Sequence, residues 1–285
     1  MQPRALAIVL LLVACGDDVA PKGSGGAGGS GGTSGAGGAG GSGGTGGSGG
    51  SGGSAGGVGT GGTGGSGGTT CTNPVFTTTD VQGLWSDGGY WLMNNKWNAA
   101  NYPVTQTLYA CSYHSWYVVA NMNNNTGDGA VKTYPNVHKD YNDVALSTFN
   151  SITSTFAETS PHVGIYDVAF DIWINGVATS GSTEIMIWNE NYNQVPSGNR
   201  AATPTLGGRA YDVYKTSNNG YIAFVPTTVF TSGTIDLLEI FRWVITQGWM
   251  PASSTLGAID FGVEIVSTNS MDATFQFTDF SITSN

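Results

Sequence analysis

Apolar residues in this chain recur at every second position, and that spacing constrains its fold more than any other feature. Val168, Phe170, Ile172 and Ile174 alternate with Ala169, Asp171 and Trp173, and the run ends at Asn175-Gly176, a hairpin signal. Ile185 and Ile187 carry the next apolar face, and Tyr221 to Val225, Ile259 to Val266 and Ala273 to Ile282 repeat the pattern. A period of two is that of a half-buried β-strand, whose successive side chains point to opposite faces. One segment departs from it. Leu237, Leu238, Phe241, Val244 and Ile245 follow helical spacing, with Thr234 as the expected N-cap, Asp236 in the first turn and Gly248 as the stop. Many strands and one helix predict an all-β fold, a two-sheet sandwich or β-jelly roll with one packed α-helix.

All of this lies in the last three quarters of the chain. Of 46 Gly in 285 residues, 29 fall within the 48 residues from Gly23 to Thr70, nearly all the rest being Ser, Thr and Ala. No Gly-X-Y period runs through them, which excludes collagen. Residues 16–70 read as a flexible Gly/Ser linker with a root-mean-square span of roughly 40 Å. Residues 71–285 hold all 8 Trp, 12 Tyr and 11 Phe, and their length suits one β domain.

Ahead of the linker, Arg4 and the apolar run Ala5 to Val13 have the form of a secretory signal, too short to span a membrane. The run closes on Leu12-Val13-Ala14-Cys15, which looks like a bacterial lipobox. Residues 1–15 are therefore expected to be a lipoprotein signal peptide, with Cys15 carrying lipid. The protein is then secreted and anchored to a bacterial membrane, at the cell surface or in the periplasm. Cys71 and Cys111 remain as an even pair in an oxidising compartment, and a disulfide is expected between them. The alternative, a two-Cys metal site, lacks neighbouring ligands, since His114, His138 and His162 are scattered.

Charge is scarce and acidic. Residues 71–285 carry 7 Lys and Arg against 17 Asp and Glu. A chain without a basic cluster is a poor partner for nucleic acid or for anionic lipid headgroups. No His/Cys ligand cluster and no phosphate-cradling Gly loop opening a helix are present, so neither metal nor cofactor is expected. An uncharged partner with apolar faces fits better, and sugars are one.

The strands show an unusual second face. With Ile185 and Ile187 in the core, Glu184, Met186 and Trp188 point the other way. Asp167, Ala169, Asp171 and Trp173 do the same on the preceding strand, and Asp260, Gly262 and Glu264 on a later one. Solvation explains carboxylates on such a face but not the large apolar side chains among them. The mixture reads as a concave, ligand-lined cleft.

Thr183-Glu-Ile-Met-Ile-Trp188, with Asn94-Asn-Lys-Trp97 upstream and Gly262-Val-Glu264 downstream, resembles glycoside hydrolase family 12 over about residues 71–285. That resemblance implies a retaining endo-β-1,4-glucanase or xyloglucanase on a β-jelly roll, with residues 71–285 as the catalytic domain. It implies Glu184 as nucleophile, Glu264 as general acid/base, and Asp171 as the residue that orients the nucleophile, with Asp167 as a rival on the same face. Asn95 and Trp97 match substrate-binding residues, Met186 and Trp188 match cleft-lining ones, and Trp85 is aligned with a more distal stacking platform. A retaining glycosidase needs two carboxyl groups about 5–5.5 Å apart, one ionised and one protonated. Glu239 on the helix and Glu190 after the strand are read as surface residues.

The chain departs from the family pattern at Asn98 after Trp97, at Asn189 after Trp188, and in the reduced Gln194-Val-Pro-Ser-Gly198 segment. The expectation is a monomeric, lipid-anchored hydrolase of β-1,4-linked polysaccharide, with cellulose, mixed-linkage glucan and xyloglucan all open as substrates. The rival readings are a non-catalytic carbohydrate-binding or adhesion module on the same fold and a family 11-type xylanase.

Overall fold

A computed structural model describes residues 68–285. The signal peptide, the lipidated Cys15 and nearly all of the linker lie outside the described residues. In chain order the strands are β1 (Phe76–Thr78), β2 (Leu84–Asp87), β3 (Tyr90–Met93), β4 (Val104–Ser112), β5 (Ser115–Met122), β6 (Asn136–Ala145), β7 (Ile152–Thr159) and β8 (Ile165–Ile174). There follow β9 (Thr183–Tyr192), β10 (Asn199–Ala202), β11 (Thr205–Leu206), β12 (Arg209–Lys215), β13 (Tyr221–Pro226) and β14 (Ser232–Asp236). The helix α1 (Leu237–Thr246) separates these from β15 (Thr255–Ser267) and β16 (Ala273–Ser284).

They form two sheets. The smaller has the order β1-β4-β5-β16-β7-β14, and the larger β10-β12-β13-β9-β8-β15-β6-β3-β2, with β11 beside β12. Ladder pairs are antiparallel except β13 with β9. This is the expected sandwich, with one α-helix among the described residues.

The apolar face read from the alternation is the inter-sheet core. Val168, Phe170, Ile172, Ile174, Ile185, Ile187, Ile259, Phe261, Val263 and Ile265 are all fully buried there. Aromatic rings join the sheets: Phe261 of the larger sheet stacks on Phe280 of the smaller at 5.5 Å, and lies 5.5 Å from Phe277. Ring pairs of this kind add about 0.5–1.5 kcal/mol each beyond their buried area. Cys71 and Cys111 form the expected disulfide, tying the chain before β1 to β4 with Cα atoms 5.4 Å apart.

Two local expectations are corrected. Thr234 does not cap the helix: it is paired with Thr155 within β14, and Asp236 caps instead, its Oδ1 accepting the Glu239 N–H at 2.9 Å. The strand runs two residues further than the polar Thr suggested. Glu190 is not a surface residue either. The β8–β9 register runs Ala169 opposite Trp188 and then Val168 opposite Glu190, so Asn189 is an extra residue, a β-bulge. The bulge turns Glu190 inward, where it is 2% exposed. Its carboxyl accepts the Tyr166 hydroxyl at 2.7 Å, lies 3.0 Å from Nε2 of His162, and faces the buried carboxyl of Glu158 of β7 across the sandwich.

Candidate active site

The outer face of the larger sheet carries the carboxylates. Cross-strand neighbours share a face, so the register orders them directly. Reading from β15 across β8 to β9, Ala258, Trp173 and Glu184 stand in one row. Asp260, Asp171 and Met186 form the next row, then Gly262, Ala169 and Trp188. Glu264 stands beside Asp167 in the row after that. Three adjacent central strands thus carry Glu184, Asp171, Asp260, Asp167 and Glu264 on one face, with Glu184 in the first row and Glu264 in the fourth. Beneath and between them sits a second apolar cluster of Ala169, Met186, Trp188, Tyr221 and Ala223. Gly262 is required where it stands: a Cβ there would meet the Pro135 carbonyl oxygen at 2.1 Å, so only glycine lets this backbone pass.

The acidities follow from burial without a counter-charge. Desolvation raises Glu184 to about 8, with the Glu264 charge adding to it. Glu264 is raised to about 7 by desolvation, opposed by a hydrogen bond from Asp167. Asp167 and Asp171 are pushed well above the usual carboxylate range, in each case first by desolvation, then by Glu264 for Asp167 and by Glu184 for Asp171. Asp260 is also raised well above that range, by burial and then by the Asp140 charge. No lysine or arginine acts on any of the five. At neutral pH the cluster therefore retains protons, with Glu264 the more acidic of the two glutamates. A face that holds one carboxylate and one carboxylic acid together can supply a nucleophile and a proton.

The expected binding residues divide. Asn94 is structural: its Nδ2 donates to the Asp80 carbonyl at 2.8 Å and its Oδ1 accepts from Gln106 of the other sheet at 2.9 Å. Asn95 sits beside it at φ 37°, a left-handed conformation that Asn tolerates, and its buried Oδ1 has no protein donor. Its carbonyl accepts the Tyr134 N–H at 2.9 Å. Trp97 is half-buried and belongs to neither apolar cluster. Met186 and Trp188 are each 1% exposed, a buried floor rather than a free stacking ring. The departure at Asn98 has a structural use, since its Nδ2 donates to the Val131 carbonyl at 2.8 Å and fixes the loop after Trp97.

Trp85 is corrected. It stands opposite Leu92, a core residue, packs against the inter-sheet cluster, and stacks on Phe76 of the smaller sheet at 5.8 Å. The ring that β3 presents on the outer face is Trp91, opposite Ser86 and His138 and 38% exposed. His138 in turn faces Asp260. Neither Trp91 nor His138 was picked out from the sequence. Alternation in β6 was masked by Lys139 on the core side, whose ammonium lies over the rings of Tyr90 and Tyr141 at 5.7 and 5.4 Å.

Such a two-sheet sandwich, with two glutamates on the outer face of its larger sheet, is a β-jelly roll. Residues 88–285 match the model of Glycosyl hydrolase family 12, and the chain belongs to that family. Endoglucanase S of Pectobacterium parmentieri is 28% identical over 135 residues, which is 43% of this chain and 51% of that protein, so the chain spans about half of its length. A protein named Inactive glycoside hydrolase XLP1, from Phytophthora nicotianae, is 27% identical over 62% of this chain and 79% of its own. Among solved structures, the xyloglucanase domain of NopAA from Sinorhizobium fredii, in complex with cellobiose, is 25% identical. Its TM-score is 0.63, covering 75% of this chain and all of that domain. Humicola grisea Cel12A superposes with a TM-score of 0.67 at 23% identity over 74% of this chain and all of its own, a likeness of fold.

Proposed function

We propose that this protein is an endo-β-1,4-glucanase that cleaves glucan chains with retention of configuration. The observation that carries the reading is the placement of Glu184 and Glu264 on the two strands flanking β8, on one face, where their ionisations are coupled. Membership of the family is not enough by itself, since one relative bears the name inactive. The retained pair is what favours an enzyme over a binding module. In this scheme the proton shared by the coupled pair sits on Glu264 once substrate is bound, so that a carboxylate oxygen of Glu184 attacks the anomeric carbon while Glu264 protonates the departing glycosidic oxygen. Water then attacks the glycosyl-enzyme as Glu264 takes its proton, releasing the sugar and restoring both groups. Asp171, one row from Glu184 and held neutral by burial, orients the Glu184 carboxylate by donating to it. Trp97 supplies an apolar face for a sugar ring.

The likeness to endoglucanases and to a xyloglucanase domain holding cellobiose supports β-1,4-glucan as the substrate class. We further infer that Cys15 carries lipid and the Gly/Ser linker holds a monomeric catalytic domain clear of a bacterial membrane, a reading supported by Leu12-Val13-Ala14-Cys15. Cys15→Ser should then release the protein into the soluble fraction. The test of activity is reducing-end release from cellulose, mixed-linkage glucan and xyloglucan. Glu184→Ala should abolish it, and Glu264→Ala should recover part of it with azide. Proton NMR of the first products should show the β-anomer, and an initial α-anomer would exclude retention.

A further inference from the structure

Asp167 is a carboxyl group that neither solvation nor the nucleophile's needs explain. It is 0% exposed and lies in the middle of the larger sheet, directly across from Glu264 in the β8–β15 ladder. Neither of its oxygens finds an N–H or hydroxyl donor. The group that faces it across the ladder is the carboxyl of Glu264, near enough for a shared proton to join the two. Two carboxylates cannot bond to each other, so this contact exists only with a proton between them. A buried ionised aspartate without a donor would cost several kcal/mol, whereas a neutral one satisfies itself by donating.

We propose that Asp167 is the positioning residue of the acid/base, a permanently neutral acid whose hydroxyl donates to the Glu264 carboxylate. The inference rests on the reading of Glu264 given above and deepens it. Asp171 lies one row from Glu184, whereas Asp167 lies directly across from Glu264, so of the two aspartates of β8 it is Asp167 that has a glutamate as its cross-strand neighbour. The donated bond favours the ionised form of Glu264. It holds that carboxyl low enough to act as a base towards water in the second step, yet burial keeps it high enough to act as an acid in the first. The other titratable groups around the pair are Asp171 on β8, Glu184 on β9, Asp260 on β15, and Tyr134, whose hydroxyl donates to the Ala169 carbonyl at 3.2 Å. None is a cation, so no other group nearby replaces what Asp167 supplies. Asn191, opposite Asp167 on β9, carries no charge.

Two substitutions separate this role from mere packing. Asp167→Asn keeps a neutral donor of the same shape, and should leave kcat and the alkaline limb of the kcat/KM profile near those of the parent. Asp167→Val removes the donor. The alkaline limb should then move upward, because Glu264 loses the bond that favours its charge, and kcat at neutral pH should fall about ten- to a hundredfold, the weight of one hydrogen bond to a charged group. With an activated aryl glycoside the loss should fall on deglycosylation, seen as a burst of aryl alcohol. Equal behaviour of the Asn and Val proteins would overturn the proposal. A third measurement needs no variant to fold. In the parent protein labelled with ¹³C at Asp and Glu carboxyls, the Asp167 signal should stay that of a neutral acid while the Glu264 signal titrates. An Asp167 signal that ionises first would refute the proposal, and it would do so whether or not the protein turns over glucan.

Discussion

The buried pair of Glu158 and Glu190 makes a quantitative prediction about alkaline stability. Glu158 is raised from 4.5 to about 9, first by burial and then by the Glu190 charge, against a hydrogen bond from Ser160 that works the other way. The hydroxyl of Ser160 donates to its Oε2 at 3.0 Å. Around Glu190 stand Tyr166, which donates to it, and His162, which is solvent-exposed. The folded chain therefore holds a proton on Glu158 that the unfolded chain releases above pH 4.5. Stability must fall as pH rises from about 4.5 to about 9, the window between the two values. At pH 8 the ceiling on that loss is 3.5 units at about 1.36 kcal/mol each, or about 5 kcal/mol. Glu158→Gln removes the titration while keeping the bond from Ser160, which the amide oxygen accepts, and it turns an amide N–H towards Glu190. The variant should match the parent near pH 4.5 and exceed it by up to about 5 kcal/mol at pH 8. Urea unfolding of both proteins at pH 5, 6.5 and 8, with the disulfide intact, gives the difference directly. Other buried carboxyls titrate in both proteins and cancel. Parallel loss of stability by parent and variant across that range would refute the linked proton.

Two further outcomes check the fold. Replacing Cys71 and Cys111 together by Ser opens a loop of 40 residues and should lower stability by about 3–4 kcal/mol in the chain-entropy model, measured by the same unfolding curves. Asp236→Ala removes the helix cap and should cost about 1 kcal/mol, whereas Thr234→Ala, at an exposed strand position, should cost less than half of that in the same assay.

How much of this was legible in the sequence depends on whether a residue obeys its strand's period. Core and outer faces of β8, β9 and β15 could be assigned from alternation alone, because Ile, Val and Phe fall strictly on one side. The carboxylates of Glu184, Asp171 and Glu264 came with that assignment. Glu190 was misplaced because alternation cannot register an inserted residue, and Asn189 carries no mark that distinguishes a bulge from a strand end. Trp85 and Trp91 were exchanged for a related reason. Both are large rings on short strands, and only the pairing of Trp85 with Leu92 and of Trp91 with His138 decides which ring faces inward. The pairing of Asp167 with Glu264 is likewise a matter of register between distant segments, which no local pattern encodes. The error at Thr234 arose because Thr and Asp are both good caps two residues apart, and the strand's continuation decided between them.

The position of β8, β9 and β15 within the larger sheet bears on how this protein is inactivated. Each is hydrogen-bonded to a neighbour on both sides, and their inner faces form the fully buried core. Amides in such strands become free to exchange with solvent only when the whole domain opens, while edge strands and loops open locally at far smaller cost. The glutamates therefore ride on the last part of the chain to come apart. Heat or denaturant should abolish catalysis and unfold the domain in one transition, so residual hydrolysis becomes a direct count of intact molecules.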